Sequence, residues 1–265
     1  MSSPRAAGCR ALSATRASAL RTTRRGPLAT ALAAAGDWLF EPAEPARGPA
    51  LLTPAPPRPV IAVFGLARSC GATVVARALA AELARRDAQG AAAVHCEARA
   101  AGIPLATQAA SRLARQLAEV PGANTRAVGR LCLVGAAEPG VLADTARHVA
   151  PLILDAGTTS LGGVPAALAD EVIVVGGPAT EPALAGVASD CLARLGPEPI
   201  VVRNRARDNA FGADDRGTAT AWAARAAVAL PDSRMGAQLA LGGREPRGEL
   251  GRAIAELADR CEGRR

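Results

Sequence analysis

From Pro59 onward, short apolar runs alternate with segments whose apolar residues recur at helical spacing. The runs VIAVFG (60–65), AAAVHC (91–96), RLCLVGA (130–136), PLILDAG (151–157), DEVIVVGG (170–177), PIVVRNR (199–205) and AVALPD (227–232) are each bounded by Gly, Pro or Asp. Apolar on both faces, they read as buried strands. Between or beside them lie ATVVARALAAELARRD, ATQAASRLARQLAEV, GVLADTARHVA, EPALAGVASDCLARLG and TATAWAARAAV, which read as helices. This order predicts an α/β domain with a doubly wound, mainly parallel seven-stranded sheet between two helical layers, whose ligands sit at the carboxyl ends of the strands. There is no internal repeat.

Residues 1–57 break the alternation. They are rich in Ala, Arg, Ser, Thr and Pro and end in EPAEPARGPALLTPAPPRP, which suits neither a helix nor a central strand. The expectation is a disordered basic and Pro-rich tail over 1–57 and a folded domain over 58–265. Within the tail, LATALAAAGDWLF (28–40) predicts a short helix ending in Trp38 and Phe40, either packed loosely on the domain or serving as a docking peptide.

Composition refines this picture in two places. Aromatics make up 2% of the chain and Tyr is absent, while hydrophobic residues reach 49%, so the core must be built from small and branched aliphatic side chains. The formal net charge is +7, and Arg5, Arg10, Arg16, Arg21, Arg24 and Arg25 lie in an acid-free stretch over 1–36; subtracting six leaves about +1 for the rest. Basicity therefore belongs to the tail, where it suits nonspecific neutralisation of nucleic-acid phosphates. Every basic residue besides the two histidines is Arg, because the chain contains no Lys.

Cys9, Cys70, Cys96, Cys132, Cys191 and Cys261 are scattered, with no C-x-x-C pair. That spacing fits reduced thiols in a cytoplasmic protein better than zinc ligands or a disulfide framework. No apolar run reaches membrane-spanning length, and arginines interrupt the Ala- and Leu-rich start too often for a signal-peptide core. An organelle transit peptide and plain low-complexity sequence both fit that leader.

The chemistry concentrates after the first strand, in VFGLARSCGATVVARALAAELARR (63–86). A phosphate loop points backbone N–H groups and a helix N-terminus at an anion, adds a Lys point charge, and uses a Ser or Thr hydroxyl for magnesium. Gly65, Ser69 and Gly71 keep the turn permissive, and Thr73 is placed for the metal. The usual G-x-x-x-x-G-K-[ST] becomes L-A-R-S-C-G-A-T, with Leu66 for the first Gly and Ala72 for Lys. A unit charge about 4 Å from phosphate at an effective dielectric of about 20 contributes roughly 4 kcal/mol, on the order of a thousandfold in affinity. Arg68 is the candidate to recover part of this through forked contacts.

Downstream, PLILDAGTTSLGGVPAALADEVIVVGGPATEPALAGVASDCLARLG, PIVVRNRARD and the closing ALPDSRMGAQLALGGREPRGELGRAIAELADRC are similar to the second half of the MinD/ParA class of P-loop ATPases. The likeness spans roughly residues 58–262. It implies a P-loop NTPase-like three-layer sandwich that binds ATP and Mg2+, in which Thr73, Asp155, Gly157 and Asn204 match groups that touch nucleotide or magnesium, Thr73 and Asp155 on the metal and Asn204 on adenine; Arg68, Ser69 and Gly71 are nucleotide-binding candidates by their place in the loop. Against the family loop K-G-G-x-G-K-[ST], however, this chain reads Ala67, Arg68, Ser69, Cys70, Gly71, Ala72, Thr73, so both lysines are missing. The second strand ends in VHCEARA, with Cys96 and Ala98 where the family carries water-positioning acids and Glu97 out of phase.

Phosphoryl transfer depends on placed charge, so the resemblance implies a degenerate Walker A loop, weak or no nucleotide binding and little hydrolysis. The role implied is regulatory or spatial-organising, of the division-site, partitioning or pilus and secretion assembly type, through a protein partner or homodimer. An active ATPase using Arg68, and nucleic-acid binding through the tail, are the alternatives. Residues with two readings are Asp155 (magnesium-side acid against a strand-ending cap of the next turn), Asn204 (adenine contact against support of loop backbone), His95 and Cys96 (metal or thiol site against buried strand end), Cys70 (activated thiol against small apolar filler), and Arg203, Arg205 and Arg207 (phosphate binding against a solvated edge). Leu250, Ile254, Leu257 and Cys261 form the apolar stripe of a docked terminal helix.

Overall fold

The computed structural model describes residues 57–96, 112–135, 138–158, 161, 163–196, 198–206 and 220–263. The expectations for tail residues 1–56, the helix at 28–40, Glu97, Ala98 and Arg207 lie outside the described residues.

Chain order is β1 (Val60–Gly65), α1 (Ala72–Arg86), β2 (Ala91–His95), α2 (Arg112–Ala118), β3 (Asn124–Val128), β4 (Leu131–Gly135), α3 (Pro139–Ala146), β5 (Leu152–Gly157), α4 (Val164–Leu168), β6 (Glu171–Gly176), α5 (Pro182–Ala193), β7 (Ile200–Ala206), β8 (Val228–Pro231), α6 (Arg234–Leu241) and α7 (Gly248–Gly263). The strands form one sheet in the order β3-β4-β2-β5-β1-β6-β7-β8, parallel throughout except at β3–β4. All seven expected strands are present. The sheet nonetheless has eight among the described residues, because NTRAV adds an antiparallel edge strand through a two-residue turn, Gly129–Arg130, pairing Val128 with Leu131. Its polar residues suit an edge, where one face needs no apolar partner.

Two cores separate the three layers. On one face, Ile61 and Val63 of β1 pack with α1, Ala240 of α6 and the Leu250, Ile254, Leu257, Cys261 stripe of α7. On the other, Val60, Ala62 and Phe64 meet Leu113 and Leu117 of α2, Leu142 of α3 and Leu192 of α5. Alternate residues of one strand thus serve opposite cores, which is why β1, β5 and β6 are buried along their whole length. The motif residue Asp170, just ahead of β6, accepts the Val60 N–H at 2.9 Å and pairs with Arg147, fixing the start of β1. Among the described residues no helix is long and apolar enough to cross a membrane.

Helix α1 is buried from Val75 to Ala84, and its many alanines let it approach both the sheet and the outer helices closely. At its far end Glu82 accepts hydrogen bonds from Arg85 and Arg86, and Arg86 continues to Asp259 and Glu262 of α7. The Arg85 hydrogen bond, with help from Arg86 and against the cost of burial, holds the Glu82 carboxyl below its ordinary range. A carboxylate lowered by folding contributes stability that is present above its unfolded pKa and lost as pH falls through the folded value. Glu82→Gln should therefore lower stability at pH 7 by about 1 kcal/mol, with the gap to the parent closing below about pH 4. Thermal melts at the two pH values check this; a gap unchanged in acid would assign the effect to packing.

Candidate functional site

The loop between β1 and α1 is built by close packing around small residues. The Leu66 N–H donates to the Val175 carbonyl at 2.9 Å and the Cys70 N–H to that of Ala67 at 3.2 Å, turning the chain back after β1. Cys70 is buried beneath Gly65 and Gly177; a Cβ on Gly65 would lie 2.7 Å from its Sγ, and one on Gly177 would lie 3.0 Å from its Cα. The small side chain fills a tight seat. Ser69 and Gly71 both adopt left-handed backbone, with φ of 59° and 93°. Gly71 is also the N-cap of α1, and no side chain caps that helix end. Its first turn, Ala72–Val74, lies on a cavity of about 600 Å3 lined by Ala67–Val74, Gly157, Thr158 and Arg205, and the N–H groups of a helix's first turn have no partner within the helix.

The structure brings Arg68, Ser69, Gly71 and Thr73 together on that cavity. Ala72, where a loop lysine would stand, is buried. Asn204 lies in an adjoining lobe of about 430 Å3, between the end of β7, the β8–α6 turn and α7, with Pro231, Asp232, Ser233 and Leu250 in its lining. The two lobes share Gly71, Val74 and Arg205. Buried Asn204 donates through Nδ2 to the Cys70 carbonyl at 2.8 Å, so its amide supports the loop backbone directly.

Arg205 is the cation placed between the lobes. Its φ is 56°, and the β7–β8 register slips between Arg203 and Ala206. Such an irregularity re-aims a side chain. The guanidinium reaches back across the loop and donates to the Ser69 carbonyl. Arg205 is half-buried there, which departs from a plain solvated stripe running through Arg203 and Arg205.

Asp155 lines neither cavity. At the carboxyl end of β5 it is 2% exposed, with Oδ2 2.9 Å from His95 Nδ1 on the neighbouring β2 and Oδ1 accepting the Gly157 N–H at 3.3 Å. Arg77, one turn of α1 beyond Thr73, donates to the Leu241 carbonyl at 2.7 Å. Burial lowers its pKa; Asp155 opposes that shift and Arg126 adds to it. Burial, with Asp155 contributing, pushes the Cys96 thiol up to about 12, and burial alone does the same for Cys132. Burial thus keeps both thiols protonated at neutral pH in the metal-free protein, which makes them poor nucleophiles. No group of three or more His, Cys, Asp or Glu side chains able to hold a metal occurs among the described residues.

Sequence reasoning did not find the Asp155–His95 pair, buried Arg77 or the contribution of the β8–α6 turn. The first depends on strand adjacency and the other two on elements distant in the chain packing together, although the R-N-R run around Asn204 carried a visible hint of Arg205.

No protein-family profile and no curated protein matches the chain. Solved structures do match. The cell division ATPase MinD of Pyrococcus furiosus is similar at a TM-score of 0.57 and 15% identity, covering 78% of this chain and 99% of that one. A ParA family ATPase from Chlorobium tepidum TLS is similar at 0.55 and 15%, covering 76% and 98%. An ATP complex of McdA from Cyanothece is similar at 0.57 and 14%, covering 78% and 96%. At such low identity these likenesses speak to architecture, and that architecture is the MinD/ParA-type P-loop NTPase fold.

Proposed function

We propose that this chain is a degenerate MinD/ParA-like protein with a regulatory or spatial-organising role, which holds nucleotide weakly and hydrolyses little of it. One observation carries the reading: a left-handed loop and an uncapped helix end surround a cavity with no ammonium group, Ala72 being buried where the lysine would stand. The cradle suits phosphate, because its backbone turns and helix end supply N–H donors at the right end of the sheet. Ser69, Gly71, Thr73 and Arg68 would hold the phosphates of ATP, with Asn204 and the adjoining lobe on the base. The magnesium half is poorer, since Thr73 lines the cavity while both Asp155 oxygens are engaged by His95 and the Gly157 N–H. Bound magnesium would neutralise phosphate charge; the protein's own part is to orient the chain of phosphates and shield it.

The ATP complex among the similar structures supports nucleotide as the ligand class, and the division and ParA-type ATPases support the role. With Ala67 at the position of the family's cross-dimer lysine, assembly with a protein partner or as a homodimer rests on other contacts. Binding of nucleic acid by the Arg-rich tail remains a separate proposal about residues 1–57.

A second reading, a working ATPase, is favoured by Arg68 and Arg205 both lining the phosphate lobe. Titration of the full chain with a fluorescent ATP analogue and Mg2+ separates the two. The degenerate reading expects a Kd no tighter than about 0.1 mM, weakened further by Thr73→Ala, and turnover at background. Tight binding with sustained turnover, lost in Arg68→Ala and in Asp155→Ala, would establish the working enzyme instead.

A further inference from the structure

A second concavity lies at the opposite end of the sheet from the loop. Helix α1 connects them: Ala72 and Thr73 line the phosphate lobe, while Ala81, Ala84 and Arg85 line this groove, about 16 Å away along the helix axis. Its volume is about 850 Å3. The other walls are the β3–β4 turn, the exposed face of α6 and the α6–α7 connection. Gly243 makes the shape possible. Its φ is 75°, and a Cβ there would lie within 3.4 Å of Val128, Leu133 and Leu131, so the connection sits down on the hairpin.

The chemistry of the lining is two-tiered. Ala81, Ala84, Val128, Leu131, Leu239 and Met235 supply apolar surface, and Met235 is 67% exposed, an unusual position for a large thioether side chain. Around it stand Arg85, Arg130, Arg244 and Arg247, all exposed, against one acid, Glu245. Four positive charges less one negative leave +3. Glu82 offsets Arg85 through paired hydrogen bonds, whereas Arg130, Arg244 and Arg247 form no ion pair with a described carboxylate. Residues 58–265 carry 24 arginines against 21 acids, a net of +3, so this lining alone holds as much net charge as the whole domain.

We infer that this groove docks an acidic amphipathic segment of a partner protein, with apolar side chains on the Met235–Leu239–Leu131 floor and carboxylates against Arg130, Arg244 and Arg247. Charge complementarity selects the occupant. A nucleic acid fits poorly, because the lining contains no aromatic ring for a base to stack on and places Glu245 beside the phosphates. A membrane surface fits poorly because the apolar surface is recessed between arginines rather than raised toward lipid. An apolar floor ringed by charge is how a groove takes the apolar face of a helix and sets its orientation. The inference is independent of whether the loop binds nucleotide.

The test uses the full chain and a fluorescein-labelled peptide of leucine and glutamate patterned at helical spacing, read by anisotropy at low and moderate salt. A scrambled peptide of the same composition, a lysine-for-glutamate version and labelled oligo-dT serve as comparisons. The acidic amphipathic peptide is expected to bind most tightly, more weakly as salt rises. Arg130→Glu/Arg244→Glu should weaken it by at least about tenfold, and Met235→Ser should weaken it at all salt concentrations. These positions are exposed, so an unchanged melting temperature accompanies the loss. The inference is overturned if the charge-reversed double variant binds the peptide as the parent does, if the scrambled peptide binds equally, or if oligo-dT binds more tightly and is lost in the same variant.

Discussion

Gly71→Ala is expected to dismantle the loop that forms the phosphate lobe. The residue has a φ of 93°, a region that costs an L side chain about 1–2 kcal/mol, and a Cβ there would stand 2.1 Å from Asn204 Nδ2. Asn204 cannot simply swing aside, because it is buried and its amide donates to the Cys70 carbonyl. Displacing it leaves a buried donor and acceptor unpaired, at about 1–3 kcal/mol. The combined cost is on the order of 3 kcal/mol, and the melting temperature should fall by roughly 10 °C. Any signal from the ATP analogue should disappear with it. Gly71→Ala/Asn204→Ala removes the obstructing amide and should lose less stability than the two single changes added together, the sign of direct contact in a double-mutant cycle. Strict additivity would mean that the two residues do not meet as described.

Trp222→Ala should destabilise the domain by about 3–5 kcal/mol. The indole is 1% exposed and is the largest fully buried side chain among the described residues. The outer edge of its six-membered ring abuts β6, where a Cβ on Gly176 would be 2.2 Å from Cη2, and the residue joins Ala185 of α5 and Val201 of β7 in a separate small core. Leu66, the residue after β1, packs on the same cluster. Removing the ring therefore withdraws support from the base of the loop as well as from the sheet, and both melting temperature and loop-site affinity should drop. Trp222→Phe, which keeps most of the contact area, should fall well short of the alanine loss. A Trp222→Ala protein that melts like the parent would show that the indole does not fill this space.

Much of the fold was readable along the chain because both-face-buried strands announce themselves as apolar runs. Each of the seven runs became a strand within a residue or two of its expected bounds, and the Leu250–Cys261 stripe docked as read. The edge strand β3 was not readable in that way. Asn124, Thr125 and Arg126 carry no apolar run, and the expected strand began at Arg130, a residue that the hairpin turn takes up. Helix α6 is absent from the elements read along the chain, because its span is short, although Ser233 caps it by accepting the Gly236 N–H at 3.1 Å and Gly242 ends it. In the site, local cues carried the loop from Arg68 to Thr73. They offered Arg205 only as phosphate binder or solvated edge; its place across the loop depends on a slip between β7 and β8.

Residue order alone determined that a Gly- and Ser-containing turn follows the central strand, that a helix starts at its exit, and that no lysine is present to serve it, because these are properties of neighbours in the chain. Only the tertiary structure decided that Asn204 props the loop, that Arg205 crosses it, that Asp155 turns to His95, and that four arginines ring a groove at the far end of α1. Those contacts join residues from about 60 to more than 130 positions apart, brought together by the order in which the strands lie side by side. Strand order is a collective outcome of burying two apolar faces at once, and no short stretch of sequence encodes it.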